Sequence, residues 1–205
     1  MAIGAENIDS ENVDSESIDS EEVGNTGMAL TERAFTILND ANSTQVFAEG
    51  TWNLIDNFPG TNNLFNPSNV DTGWDIANTT YGENGLSLAA LPFYDAGVYA
   101  IARCVLSAAA SFTLTITGLN NSSLYSFIFS GATSSGAGAG TRVMTITSSV
   151  SAMTATILTD SLDPTNDHID SIDLQLPSAG TIVLTLTNTG VNQVQCSTFE
   201  IQEFT

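Results

Sequence analysis

The sequence predicts an all-β protein, an antiparallel β-sandwich or jelly-roll domain preceded by an extended acidic repeat arm. Three observations predict it. Short apolar–polar alternations recur through the second half of the 205 residues, parted by Gly, Asn, Ser and Pro turns. β-Branched and aromatic residues are concentrated in those runs. The opening residues instead repeat an acidic unit with a period of five.

From the amino end, Glu6-Asn7-Ile8-Asp9-Ser10, Glu11-Asn12-Val13-Asp14-Ser15 and Glu16-Ser17-Ile18-Asp19-Ser20 lead into Glu21-Glu22-Val23. A step of five residues carries a helix about 140° past a full turn, so Ile8, Val13, Ile18 and Val23 form no single helical stripe. On a strand the same step alternates faces. A chain that turns once per repeat, or three chains wound about a common axis, brings all four inward. These four are therefore the candidate anchoring or oligomerisation residues, and sister copies, three in the simplest case, are the implied partner. The competing reading is a solvated acidic tail. With eight carboxylates in each arm, close packing of copies needs salt or divalent ions. Gly24-Asn25-Thr26-Gly27 reads as a linker. The organisation that follows is an arm and linker over residues 1–27 and a sandwich domain over residues 28–205.

Leu30 to Ala41 is ambiguous, because Ala34, Ile37, Leu38 and Ala41 fit a helix while Phe35 and Ile37 fit a strand. From about residue 45 the signals are those of strands. Phe112, Leu114 and Ile116 alternate with threonines up to Gly118-Leu119-Asn120-Asn121. Tyr125, Phe127 and Phe129 share one parity and close on the loop Gly131 to Gly140. Met144 and Ile146 follow, then Met153, Ala155 and Ile157, then Ile172, Leu174 and Leu176. After Pro177-Ser178-Ala179-Gly180 come Ile182, Leu184 and Leu186, and last Val194 to Ile201.

Charge narrows the partners. The chain has no lysine, three arginines (Arg33, Arg103 and Arg142) and 23 acidic residues, for a net charge of −20. Such a chain repels phosphate backbones and anionic headgroups, which argues against nucleic acid and membrane insertion. The amino terminus lacks the basic start and apolar stretch of a secretory signal, yet the Thr-, Ser-, Asn- and Gly-rich body suits a protein working outside cells. A virion component released by lysis reconciles the two, and a secreted or cell-surface protein is the alternative.

Candidate chemistry is sparse, and no enzyme is expected. His168 is the one histidine and sits among acids, and no Gly-x-Ser-x-Gly elbow occurs. Gly136 to Gly140 is glycine-rich but lacks a following lysine, so it reads as a hairpin loop. Asp71 and Asp75 flank Trp74 and could frame a glycosidase pair, against the plainer reading of turn formers around a core tryptophan. Asp160, Asp163, Asn166, Asp167 and Asp170 offer oxygen ligands to a hard cation such as Ca²⁺, though an Asp/Asn-rich connection capping a strand is their ordinary explanation. No other cofactor is expected. Cys104 and Cys196 are in no metal spacing and read either as two buried thiols or as a cross-strand disulfide. Trp52, Trp74, Tyr81 and Tyr94 are the candidate glycan-binding platforms, beside the competing expectation that at least half of the aromatics in this stretch fill the core.

Leu114-Thr115-Ile116-Thr117-Gly118-Leu119, Leu124-Tyr125-Ser126-Phe127, Gly140-Thr141-Arg142, Gly180-Thr181-Ile182-Val183-Leu184 and Phe199-Glu200-Ile201 together carry a resemblance. Over roughly residues 85 to 205 the chain resembles the galactose-binding-like and carbohydrate-binding-module jelly rolls of bacterial surface and phage structural proteins. That resemblance implies carbohydrate binding in some members and scaffolding in others. The amino-terminal repeats resemble the arms of tailed-virus fibre and head-appendage, or decoration, proteins. Neither likeness carries a ligand residue over to this chain. Together they imply a virion fibre or decoration subunit with virion partners and host-surface glycans, or alternatively a secreted carbohydrate-binding or adhesion module.

Overall fold

The computed structural model describes residues 28–39, 43–56, 58–83, 98, 104–105, 107, 109–131, 142–158, 169–196 and 198–205. The arm residues Ile8, Val13, Ile18 and Val23 lie outside them. The described chain is all-β. Its strands are β1 (Leu30–Leu38), β2 (Ser43–Phe47), β3 (Gly50–Ile55), β4 (Gly60–Phe65), β5 (Asp71–Asn78), β6 (Gly82–Glu83) and β7 (Cys104–Val105). They continue as β8 (Ser111–Thr117), β9 (Leu124–Ser130), β10 (Val143–Ser148), β11 (Thr154–Leu158), β12 (Ile169–Gln175), β13 (Ile182–Asn188) and β14 (Thr198–Phe204). Two six-stranded sheets hold all but β6 and β7, in the orders β12-β9-β14-β1-β3-β2 (sheet A) and β11-β10-β13-β8-β5-β4 (sheet B).

One core joins the sheets, as a sandwich requires. Sheet A contributes Tyr125, Phe127, Phe129, Phe199 and Ile201, and sheet B contributes Leu114, Ile116, Ile146, Leu184 and Leu186, all essentially inaccessible to solvent. The strict alternation in β8 and β13 follows from this, since one face meets the core and the threonines between look outward. The element left open between helix and strand is the strand β1. Its pattern was unclear because it is apolar on both faces. Ala34 and Leu38 belong to the inter-sheet core, while Phe35 and Ile37 join Trp52, Leu54 and Val98 in a second buried cluster.

The pairing departs from the expected antiparallel scheme at one place, where β1 runs parallel to β3, Phe35 against Trp52 and Leu38 against Ile55. The chain leaves β1, passes to the sheet edge as β2, then turns back as β3 into the gap between them. The expected alternation of Ile172, Leu174 and Leu176 also breaks. A register shift between Ile172 and Gln175 inserts a bulge, with Leu174 at φ 49°, and reverses the parity. Gln175 is buried in consequence and Leu176 is exposed. Met153 lies just before β11 and is exposed, whereas Ala155 and Ile157 are buried as expected.

The sandwich is polar along its strand axis. The connections 48–49, 66–70, 118–123, 149–153 and 176–181 lie at one end. Leu30, Phe204 and Leu124 share a register there, and Ala29 and Thr205 exchange backbone hydrogen bonds of 3.0 and 3.1 Å. The strand ends bounding 39–42, 56–59, 79–110, 131–142, 159–168 and 189–197 lie at the opposite end. The described chain therefore enters β1 at the short-turn end.

Candidate functional site

The expected glycan platforms come out differently. Trp52 is fully buried, stacked on Phe35 at 4.7 Å between centroids and met edge-on by Phe47 at 6.4 Å. Trp74 is buried with its ring against Tyr125, centroids 5.7 Å apart. Tyr81 is buried too, its hydroxyl set between the carbonyl oxygens of Asn39 and Ile55 at 2.8 and 2.5 Å. Ring faces covered by neighbours cannot stack on sugar, so these three are core residues, the competing expectation for this stretch. Tyr94 lies outside the described residues.

Asp71 acts as a turn former, its Oδ1 accepting the Gly73 amide at 2.8 Å. With Trp74 in the core, the Asp71/Asp75 pair has no exposed aromatic platform between its members. Of the cation candidates, Asp160, Asp163, Asn166 and Asp167 lie outside the described residues. Asp170 braces β11 to β12, accepting the Thr156 amide through Oδ2 at 2.6 Å and the Ser171 amide through Oδ1 at 2.8 Å. Among the described residues no group of three or more His, Cys, Asp or Glu is placed to hold a metal. Cys196 is a free, fully buried thiol, and burial pushes its pKa up to about 12. Of the two readings for the cysteines, Cys196 therefore takes that of a small apolar residue in the core.

What the fold does build is a cleft of about 380 Å³ on the lateral edge of the sandwich, where β2 and β3 of sheet A overhang β4 of sheet B. Its volume is in the range of small-molecule sites. One wall carries Ser43, Thr44 and Ile55, the other Asn62, Asn63 and Phe65. Among the described residues, no charged side chain lines it.

Each wall follows from register. Thr44 pairs with Asn53, and cross-strand partners share a face, so both look toward the opposite sheet. Asn62 pairs with Ile76 of the core and stands two residues before the buried Leu64, so it too faces inward. Asn53 ties the walls together. Its Nδ2 donates to the carbonyls of Phe35 at 2.8 Å and Phe65 at 2.9 Å, and its Oδ1 accepts the Phe65 amide at 2.9 Å. One side chain thus replaces a missing rung between the two sheets. Asn78 secures the neighbouring connection, donating through Nδ2 to the carbonyls of Asp56 at 2.9 Å and Phe58 at 3.1 Å.

Asn62 differs from these two. Its Nδ2 is buried and has no hydrogen-bond partner. A buried amide hydrogen without an acceptor costs about 1–3 kcal/mol, so this donor is poised for an oxygen that the chain does not supply. Sequence reasoning missed the cleft because it followed aromatic residues. A signal was present in Gly60-Thr61-Asn62-Asn63-Leu64-Phe65, where one of two asparagines disfavoured in strands, Asn62, takes the parity of a core leucine.

In comparison with known proteins, the chain matches no family model, no curated protein and no solved structure.

Proposed function

We propose that this chain is a structural subunit of a virus particle, a fibre or a capsid or tail decoration protein, anchored or oligomerised through residues 1–27. One observation carries the reading, the polarity of the sandwich. The arm joins at the short-turn end, and the longer connections leave the other end. In a domain held by its arm, the far end looks away from the particle, where long loops are free to vary and to touch other surfaces.

We read the winding as a jelly roll. Supporting this, β1, β14, β9 and β12 are neighbours in one sheet, and β8, β13, β10 and β11 in the other. In chain order those eight strands wind through two Greek keys, and β2 to β7 form an insertion after the first of them. Jelly rolls serve in viral capsids and in lectins, an analogy that raises both readings without deciding between them.

The partners in this reading are sister copies, three around the arm axis, other virion proteins, and glycans of the host surface. The role is non-enzymatic, and its place is the extracellular particle. The alternative, a secreted or cell-surface carbohydrate-binding module, is favoured by the uncharged cleft, and it makes the arm irrelevant. Sedimentation mass separates the two. The full chain at high salt with calcium is expected to be a trimer, and the full chain carrying Ile8→Asp, Val13→Asp, Ile18→Asp and Val23→Asp a monomer. A monomeric unaltered chain would overturn the particle reading.

A further inference from the structure

We infer that the lateral cleft between β2, β3 and β4 binds a neutral saccharide, a mono- or disaccharide without carboxylate or sulfate, through the Asn62 amide. The inference deepens the glycan-facing part of the proposed function. It names a site to which Trp52, Trp74 and Tyr81 do not belong.

The chemistry of the walls selects the ligand class. Side-chain amides and hydroxyls both donate and accept, as do sugar hydroxyls, and Asn62 and Thr44, which the register turns inward, supply them. Phe65, half-buried, supplies apolar surface for the C–H face of a pyranose ring. Anions are disfavoured twice. Among the described residues no charged side chain lines the cleft to pair with one, and a chain of net charge −20 repels anions at any distance within the screening length. A wholly apolar ligand is disfavoured too, because it would leave the wall amides without partners.

Asn62 supplies the binding step. Its Nδ2 points into the protein without an acceptor. The terminal torsion of an asparagine is soft. Rotation about it carries the NH₂ group into the cleft, where a sugar oxygen accepts from it. The complex gives this donor an acceptor that the described residues do not supply. Asn53 takes no part in recognition, since three backbone groups already occupy its amide. It holds the walls at their spacing and acts as a positioning residue.

The test is titration of the full ¹⁵N-labelled chain with glucose, galactose, mannose and N-acetylglucosamine, with sialic acid and glucuronic acid as anionic controls. At least one neutral sugar is expected to bind at about millimolar Kd and to shift the Asn62 side-chain NH₂ signal. Asn62→Ala should weaken that sugar by about tenfold or more while leaving the melting temperature unchanged or raised, since it removes an unpartnered buried donor. Thr44→Val, on the opposite wall, should weaken it independently. The inference is overturned if no neutral sugar moves the Asn62 signal, if Asn62→Ala and Thr44→Val both bind as tightly as the unaltered chain, or if the anionic sugars bind equally well. Signals that move with protein concentration instead of sugar would place another copy in the cleft, and that also overturns it. The sedimentation experiment is independent. A trimer that binds no sugar removes this inference alone, and a monomer that binds sugar through Asn62 removes the particle reading alone.

Discussion

Replacing Asn53 by alanine tests whether one amide holds the cleft edge of the sandwich together. The side chain is 2% exposed and makes three hydrogen bonds, at 2.8, 2.9 and 2.9 Å, that tie the backbones of β1 and β4 to β3. Each bond is worth about 0.5–1.5 kcal/mol net. Water reaches part of the Phe65 backbone once the amide is gone, which offsets some of the loss. The balance is a destabilisation of about 2–4 kcal/mol. For a domain of this size that lowers Tm by roughly 5–12 °C. Calorimetry on the full chain measures the shift, and hydrogen exchange at the Phe65 amide shows whether the loss is local. Asn53→Asp keeps an acceptor for the Phe65 amide but turns a carboxylate oxygen toward two carbonyls, so it should be no more stable than Asn53→Ala. A Tm drop of less than about 2 °C, or a Phe65 amide that keeps its protection, would refute the clamp.

Two further outcomes follow from single sites. Gly118 and Gly73 both have positive φ, 79° and 75°, but a Cβ on Gly118 would fall on the Gly73 carbonyl oxygen, whereas a Cβ on Gly73 meets nothing. Thermal denaturation should therefore show Gly73→Ala costing about 1 kcal/mol and Gly118→Ala about 2–4 kcal/mol, and equal costs would contradict the close approach of the two turns. Stability should also fall in alkali. Burial raises the pKa of Cys196 to about 12 and that of Tyr125 further, with Glu203 adding to the second and the Asn120 amide opposing. Both groups keep their protons longer when folded, so their contribution is complete below about pH 9 and is lost as pH rises through the folded values. Denaturant titration between pH 8 and pH 12 reads this, and a Cys196→Ala variant with an unchanged alkaline slope would remove the thiol's share.

Strands β8, β10 and β13 were legible because each has one buried and one open face, so period-two alternation reports the fold directly. Tyr125, Phe127 and Phe129 sit where their shared parity put them. The final strand was displaced, since Val194 and Cys196 are buried in the preceding connection and β14 begins at Thr198. Legibility failed where a strand is buried on both faces, as in β1, or where a bulge changes the count, as in β12. The parallel pairing of β1 with β3 was invisible for a different reason, since pairing partners 17 residues apart leave no local pattern. The site was hidden by the same kind of limit. Exposure of an aromatic side chain depends on what folds over it, and Trp52 and Trp74 carry no mark that distinguishes platform from core. Asn62 was more informative than either tryptophan, because a polar residue at a core parity demands an explanation that an aromatic one does not.

The arm and the cleft make a joint claim about binding strength. One cleft closing on a mono- or disaccharide buries little surface, and millimolar affinity is what such a contact supports. That is too weak to hold a particle to a cell by itself. Three copies joined through residues 1–27 would carry three clefts on the lateral edges of their sandwiches, and a surface dense in the same sugar could engage more than one at a time. Linked binding of that type raises apparent affinity by about 10²–10⁴-fold with no new contact, provided the spacing allows simultaneous engagement. The full chain should therefore bind a sugar-coated surface far more tightly than free sugar. The chain with all four arm residues changed to aspartate should keep its affinity for free sugar and lose the surface enhancement. Surface plasmon resonance against a dense and a sparse coating of the sugar identified in solution measures both quantities. If the altered chain kept the enhancement on the dense coating, multivalency would not come from the arm, and cleft and arm would have no common purpose.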